Sequence, residues 1–209
     1  MLFPSDEPTH GTGPGAIVWR AVGGCPGGAG AHVAAIGAIH GSGSAATVAL
    51  GPEAALGLQG PLAASVAPAG KVAVIGRPTG APGAGAIALQ GRAGERFAAI
   101  PPGPTFTAPL AATNGYLGDL AVAGGASTGQ LQLQVERYYT PGFTRHATVA
   151  AGPGVRLLTP ALDYRSDAML VWQQGGSIVA RYLPAKGAPG GLQRLAAAGP
   201  NLRIAALLS

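Results

Sequence analysis

The sequence has little of what metal centres and acid–base catalysts are built from. It contains one cysteine, Cys25, and four histidines in 209 residues. A single cysteine forms no intramolecular disulfide and no Cys-x-x-Cys metal site. Charged residues make up only 10% of the chain, and a glycosidase needs two facing carboxylates. We therefore expect no metal and no cofactor, and acid–base catalysis is poorly supported.

Long apolar runs and clusters of basic residues are also missing. Residues 54–76 are nearly uncharged but are interrupted by Pro61, Pro68 and several glycines, whereas a membrane helix needs about 20 continuous apolar residues. The net charge of +5 comes from 11 arginines and 2 lysines against 8 acids. These cations are spread singly along the chain, and nucleic-acid-binding proteins usually cluster them on one face. We expect no membrane span and no nucleic-acid partner.

Glycine and proline, by contrast, are abundant, with 36 and 19 residues. Such a composition borders on low-complexity sequence, but a disordered chain should be poor in apolar residues and rich in charge. Here 47% of the residues are hydrophobic. Short apolar runs between turn residues fit many strands joined by tight turns, so the composition predicts an all-β protein.

The chain also repeats itself. The segment GPLAASVAPAGKVAVIG (60–76) aligns without a gap with APLAATNGYLGDLAVAG (108–124), 48 residues later. A third copy, TPALDYRSDAMLVWQQ (159–174), aligns if Pro160 matches Pro109 and the first turn is three residues shorter. A period of about 20–50 residues indicates a solenoid, a propeller or another array.

Each period divides into four short apolar runs, which we name strands a, b, c and d. Runs this short span few helical turns, and the sequence has no sustained i, i+3, i+4 apolar stripe. Leu131–Val135 alternates between leucine or valine and glutamine, which predicts a half-buried strand. Strand a is predicted at 62–65, 110–113, 157–162 and 204–208, strand b at 72–75, 120–123 and 169–172, strand c at 86–89, 131–138 and 178–183, and strand d at 97–100, 147–150 and 192–196.

Four antiparallel strands per period is the unit of a β-propeller blade. We therefore predict a β-propeller-like array of about four four-stranded antiparallel blades. An N-terminal tail is predicted at 1–14 and the propeller domain at 15–209, with blade periods of roughly 15–65, 66–113, 114–162 and 163–209.

Two alternatives for the ends stay open. If residues 15–50 supply strands b, c and d, the run 204–208 completes the first blade and closes a four-bladed ring. Otherwise the chain is a fragment of a larger ring. A different register makes His32–Gly37 a strand b, because HVAAIG is similar to the KVAVIG of the second period.

The last period has an Asp-rich turn, then a strand ending in Trp, then a Val-x-Arg strand and a short strand ending in Leu. The residues that carry this pattern are Asp163, Asp167, Trp172, Val179, Arg181 and Leu195. The pattern resembles the repeat of large secreted β-propeller proteins of actinobacteria. That resemblance implies a propeller fold and an extracellular or cell-surface location, but no reaction. The start of this chain, MLFPSDEPTH, does not have the pattern of a signal peptide.

One hydrolase-like motif occurs, because Gly125–Gly129 reads G-x-S-x-G around Ser127. A nucleophile elbow needs a strand before the serine and a helix after it. Here the alternating run Leu131–Val135 follows instead. The motif therefore predicts a b–c hairpin turn, and no catalytic residue is assigned.

Candidate ligand-binding residues follow from the propeller resemblance, since propellers usually bind ligands at an axial mouth formed by the b–c and d–a loops. Those loops hold Glu53, Arg77, Ser127, Gln173 and Gln174. Of the acids, Asp119, Asp163 and Asp167 are predicted at a–b turns, where aspartate is favoured for turn hydrogen bonds.

The sequence thus predicts a non-catalytic β-propeller that scaffolds or binds an unidentified protein or carbohydrate, as a monomer or as part of a longer chain. The alternative is a propeller enzyme that processes glycans, which would need acids, His or Tyr clustered at the axial mouth.

Overall fold

The computed structural model describes residues 15–21, 29–40, 47–67, 70–81, 83–99, 106–115, 118–127, 129–137, 140–200 and 202–208. These residues form sixteen β-strands and no helix. The strands make four four-stranded sheets, and every pairing is antiparallel. The predicted all-β class and the four four-stranded antiparallel sheets are confirmed.

The sheets follow one another along the chain. The first contains β1 (Gly15–Ala21), β2 (Gly30–His40), β3 (Thr47–Leu50) and β4 (Ala54–Ala55), and the second β5 (Leu58–Val66), β6 (Lys71–Pro78), β7 (Ile87–Arg92) and β8 (Ala98–Ala99). The third contains β9 (Thr107–Asn114), β10 (Leu120–Ser127), β11 (Gln130–Arg137) and β12 (Thr140–Ala150), and the fourth β13 (Val155–Leu162), β14 (Ala168–Gln174), β15 (Ser177–Leu183) and β16 (Leu192–Ala197). In the last three sheets the spatial order equals the chain order, so they contain the predicted strands a, b, c and d.

The turn between strands a and b repeats with a constant spacing of 48 residues. In the second sheet the Ala67 N–H donates to the Lys71 carbonyl, in the third Gly115 donates to Asp119, and in the fourth Asp163 donates to Asp167. The three-residue deletion predicted for the third copy is therefore wrong. Pro160 does not occupy the position of Pro109; that position is taken by Leu157, where β13 has a bulge. The sequence alignment of the third copy was wrong because it matched Pro160 to Pro109.

The first sheet has three strands side by side rather than four. β2 pairs with β1 on one edge and with both β3 and β4 on the other. The Leu56 N–H after β4 donates to the Ala31 carbonyl, as the Ala151 N–H after β12 donates to Gly129. β2 therefore takes the place of a strand c, β1 that of a strand b, and β3 with β4 that of a strand d.

This assignment agrees with one of the two registers proposed for the start of the chain. Residues 15–55 supply strands b, c and d, as the first register has it. The register that makes His32–Gly37 a strand b stays a prediction; those residues lie in β2, between β1 and the edge formed by β3 and β4. The likeness of HVAAIG to KVAVIG reflects small apolar residues that both buried strands contain.

The predicted C-terminal strand is not formed. Residues 204–208 belong to no strand, and the hydroxyl of Thr159 on β13 donates to the Ile204 carbonyl at 3.3 Å. The closed ring and the larger ring both stay predictions, as does the division into blade periods. A period can begin at any strand of a repeat, and the observed sheets begin with strand a where strand a is present.

The four sheets stack through three apolar interfaces. On β6, Val72 and Val74 face the first sheet, whereas Ala73 and Ile75 face the third. Residues 48 positions later on β10 repeat this arrangement, with Leu120 and Val122 facing the second sheet and Ala121 and Ala123 facing the fourth. Since neighbouring strand residues point to opposite faces, the second strands of these two middle sheets are apolar on both.

This packing corrects the prediction for Leu131–Val135. Its leucines and its valine do face the fourth sheet, but its glutamines do not face solvent. Gln134 is 0% exposed because the second sheet covers that face. Alternation in the sequence therefore marks two different buried faces here, not one buried and one solvated face.

Candidate binding surface

The predicted ligand-binding residues lie toward one end of the sheets. Arg77, Ser127, Gln173 and Gln174 occupy the last residues of the second strands β6, β10 and β14. Glu53 lies between β3 and β4, close to the start of β2. The structure thus places these residues near the b–c turns and the strand d exits, where the sequence predicted them.

Their contacts are local. Glu53 Oε1 lies 2.6 Å from His32 Nδ1, and the Gln173 Nε2 donates to the Gly175 carbonyl at 3.2 Å. The Gln174 amide occupies the space that a side chain on Gly152 would need. Glu53 and Gln173 thus bond to residues near them, and a common ligand-binding role for the five predicted residues stays a prediction.

The segment around Ser127 is a hairpin. Ser127 ends β10, Gln130 begins β11, and the two residues pair with each other. Gly129 between them has φ 73°, a value that glycine adopts without strain. A strand follows the serine where a nucleophile elbow has a helix, which confirms the b–c turn that the sequence predicted.

His32 is buried on β2 and stacks on the Trp19 ring, with ring centroids 5.8 Å apart and planes at 20°. Glu53 approaches its Nδ1 atom, which orients the imidazole. Within the described part of the chain, no group of three or more His, Cys, Asp or Glu residues is arranged to hold a metal ion.

The best-defined polar cluster lies at the opposite end of the sheets, in the a–b turn of the fourth sheet. The Asp163 Oδ1 atom accepts hydrogen bonds from the backbone N–H groups of Arg165 and Asp167, each at 2.8 Å. Such side-chain bonds are the reason aspartate is favoured in turns. Ser166 of this turn has φ 63°, a conformation that costs free energy for a residue other than glycine.

Two further contacts fix this turn to its surroundings. The Ser166 hydroxyl donates a short hydrogen bond to Asp119 in the turn of the third sheet. The Asp167 carboxylate accepts from the Tyr182 hydroxyl at 2.5 Å and from the Ala185 N–H at 2.6 Å. The turn is therefore held by its own sheet and by the neighbouring one.

On this fixed turn, two large side chains project into solvent. Tyr164 is 57% exposed and the Arg165 side chain 64% exposed, and the guanidinium carbon lies 5.3 Å from the Tyr164 ring centroid. Arg165 also lies 3.6 Å from Asp163 and 3.8 Å from Asp167. Tyr164, and then Asp163 and Asp167, raise the pKa of Arg165, so it stays a cation. We name Tyr164, Arg165 and Tyr182 the rim.

The hydrogen bond to Asp167 raises the pKa of Tyr182 above its ordinary value of about 10, with burial and the Asp167 charge acting in the same direction. A raised pKa means that the folded state favours the protonated phenol. The contribution of the Tyr182–Asp167 hydrogen bond to stability is complete below pH of about 10 and is lost as the pH rises through the folded-state pKa of Tyr182.

We expect Tyr182→Phe to remove this loss of stability at alkaline pH, so that the free energy of unfolding of the variant falls less steeply above pH of about 10. The measurement is denaturant unfolding at a series of alkaline pH values. Tyr164→Phe serves as the control, because Tyr164 donates no hydrogen bond to Asp167. An identical alkaline profile for Tyr182→Phe and the wild type would contradict the assignment.

The sequence located part of this cluster. Asp119, Asp163 and Asp167 lie at a–b turns as predicted. Their neighbours Ser166 and Tyr182 were missed, because Ser166 meets a residue 47 positions away and Tyr182 a residue 15 positions away. The one available signal was the absence of glycine at position 166, where the other two turns have Gly70 and Gly118.

In comparisons with known proteins, no family model, no curated protein and no solved structure matches the chain. The resemblance to secreted actinobacterial propellers therefore stays a prediction. Across the described residues, no helix has the length and apolar character needed to cross a membrane.

Proposed function

We propose that the protein is a non-catalytic scaffold that binds a protein partner through the rim of Tyr164, Arg165 and Tyr182. The observation that supports this most directly is the exposure of Tyr164 and Arg165 on a turn held by hydrogen bonds. Tyrosine and arginine are enriched in protein interfaces and among the residues that dominate binding energy.

The fixed turn lowers the entropic cost of binding through Tyr164 and Arg165. Ordering a flexible side chain at an interface costs roughly 0.5–1.5 kcal/mol, and a large part of that cost is absent when the side chain is already held. Arg165 is held between the Tyr164 ring and two aspartates, and Tyr182 is held by Asp167. These three side chains thus form a preorganised contact surface.

The chemistry around the rim supports a structural role for the acids. Asp163 and Asp167 accept backbone and phenol hydrogen bonds, and Asp119 accepts from Ser166. These bonds hold the turn in its conformation. We propose an extracellular or cell-surface location, which rests on the resemblance of the last period to secreted propellers.

The test compares wild type with Tyr164→Ala and Arg165→Ala in partner capture, followed by affinity measurement with the purified partner. We expect each variant to weaken binding by at least about ten-fold, because hot-spot truncations cost roughly 2 kcal/mol or more. Arg194→Ala is the matched control, since Arg194 is an exposed arginine on β16.

Two results would contradict the proposal. Unchanged affinity in both rim variants would place the binding surface elsewhere. Binding on a glycan array, lost in Tyr164→Ala and accompanied by no protein partner, would instead assign the rim to carbohydrate.

A further inference from the structure

One layer of the interface between the second and third sheets is polar. On β11, Gln132 and Gln134 pair with Gly124 and Val122, and Val122 packs against the second sheet, so both glutamines face that sheet. Gln90 on β7 pairs with Ala73 and faces the third sheet from the other side. Three glutamines therefore point into one interface.

The equivalent layer is mostly apolar in the other two interfaces, with Arg181, which pairs with Leu170, as the exception. Leu131, Leu133 and Val135 of β11 pack against the fourth sheet, and Ile87 and Leu89 of β7 pack against the first. The same two strands thus present apolar side chains on one face and glutamines on the other. Burial of the glutamine face is a specific property of the interface between sheets two and three.

Four amide atoms in this layer are closed off from solvent and have no hydrogen-bond partner. They are the Nε2 and Oε1 atoms of Gln134 and the Oε1 atoms of Gln90 and Gln132. A buried polar group without a partner costs roughly 1–3 kcal/mol. Over nine-tenths of buried polar groups in folded proteins have a hydrogen-bond partner, either protein or ordered water. We therefore expect these four atoms to have a partner as well.

We propose that the glutamine layer is a binding site for ordered water. The four atoms comprise three acceptors and one donor group, and a water molecule both donates and accepts. An ion fits less well, because the amides carry no charge. The adjacent Lys71 and Glu136 form an ion pair at 2.5 Å and neutralise each other.

Water in this layer adds hydrogen bonds between two sheets whose side chains also meet directly at Lys71–Glu136 and at Ser65–Asn114. Buried waters make about three hydrogen bonds each and occur roughly once per 27 residues, so a site for a few molecules is ordinary for a chain of this length. Each molecule bridging Gln90 to Gln134 links β7 of the second sheet to β11 of the third.

Stability measurements on Gln134→Leu provide the first test. If water satisfies the amide, the substitution removes these bonds and leaves Gln90 and Gln132 without their bridge. We then expect the unfolding equilibrium to shift toward the unfolded state by about ten-fold. If the amide has no partner, leucine removes an uncompensated polar group and the variant becomes more stable, which overturns the proposal. Gln193→Leu, an exposed glutamine on β16, is the matched control.

The second test uses the wild-type protein and so does not depend on folding of the variant. Nuclear Overhauser contacts between the Gln134 side-chain amide protons and water that is in slow exchange are the expected result. Contacts from those protons to Gln90 alone, with none to water, would show direct pairing of the two amides and overturn the proposal.

Discussion

Replacing Trp172 by alanine should lower the free energy of unfolding by about 3–5 kcal/mol, the range for truncation of a buried tryptophan. Trp172 is 0% exposed on β14 and faces the third sheet. Its removal leaves a cavity in the middle of the interface, where side chains of both sheets meet. Neighbouring side chains relax only partly into such a space.

The repeat explains why tryptophan stands at this position. The equivalent residue of the third sheet is Gly124, where an added Cβ would lie 2.9 Å from Phe106 and 3.1 Å from Leu110. The fourth sheet has Gly154 in the place of Phe106. Because Gly154 contributes no side chain before strand a, the space that Phe106 fills in the third sheet is filled in the fourth sheet by Trp172 of strand b.

Denaturant unfolding of Trp172→Ala measures this effect, with two controls. Trp19→Ala removes a tryptophan near the end of β1 that is only half-buried, so a smaller loss is expected. Trp172→Phe should lose less than the alanine variant, because the phenyl ring still fills much of the space that alanine leaves empty. Equal stability of Trp172→Ala and wild type would contradict the packing described for this interface.

The repeat also explains how far the sequence alone predicts this fold. Strands b and c were predicted within a few residues, for example 120–123 inside β10 and 178–183 inside β15. The strands b of the second and third sheets are buried on both faces, so their apolar runs, 72–75 and 120–123, are unbroken. Strand d was predicted closely in the fourth sheet, where 192–196 matches β16, but in the third sheet β12 (Thr140–Ala150) extends well before the predicted 147–150. β16 is exposed along its whole length.

Relations between sheets could not be predicted in the same way. Gln132 and Gln134 have the alternation of a surface strand, and only the stacking of the second sheet shows that Gln134 is buried and Gln132 partly buried. The contact between Ser166 and Asp119 likewise depends on two turns lying side by side. Such contacts follow from the spacing and rotation of neighbouring sheets, which a single repeat does not encode.

The second large effect is expected at Asp163. Asp163→Ala should lower the free energy of unfolding by about 2–3 kcal/mol, since hydrogen bonds to a charged group are worth roughly 1.5–3 kcal/mol. The carboxylate is 4% exposed and accepts two backbone N–H groups at 2.8 Å. Without it, those groups in the turn lose their acceptor.

The repeat shows why this turn depends on a carboxylate when the others do not. The residues equivalent to Asp163 are Ala67 and Gly115, which have no side-chain acceptor. Those turns have Gly70 and Gly118, with φ of 75° and 95°, where the fourth sheet has Ser166 at 63°. Because a non-glycine residue resists that conformation, the Asp163 bonds offset the strain that Ser166 introduces.

Asp163→Asn distinguishes this explanation from a simple loss of charge. Asparagine keeps a side-chain oxygen that accepts from both N–H groups, so its stability should lie between wild type and Asp163→Ala. The alanine variant should also weaken rim binding, because Tyr164 and Arg165 would lose their fixed positions, while the asparagine variant should largely retain it. If asparagine destabilised as strongly as alanine, the charge near Arg165, rather than the turn bonds, would carry the effect.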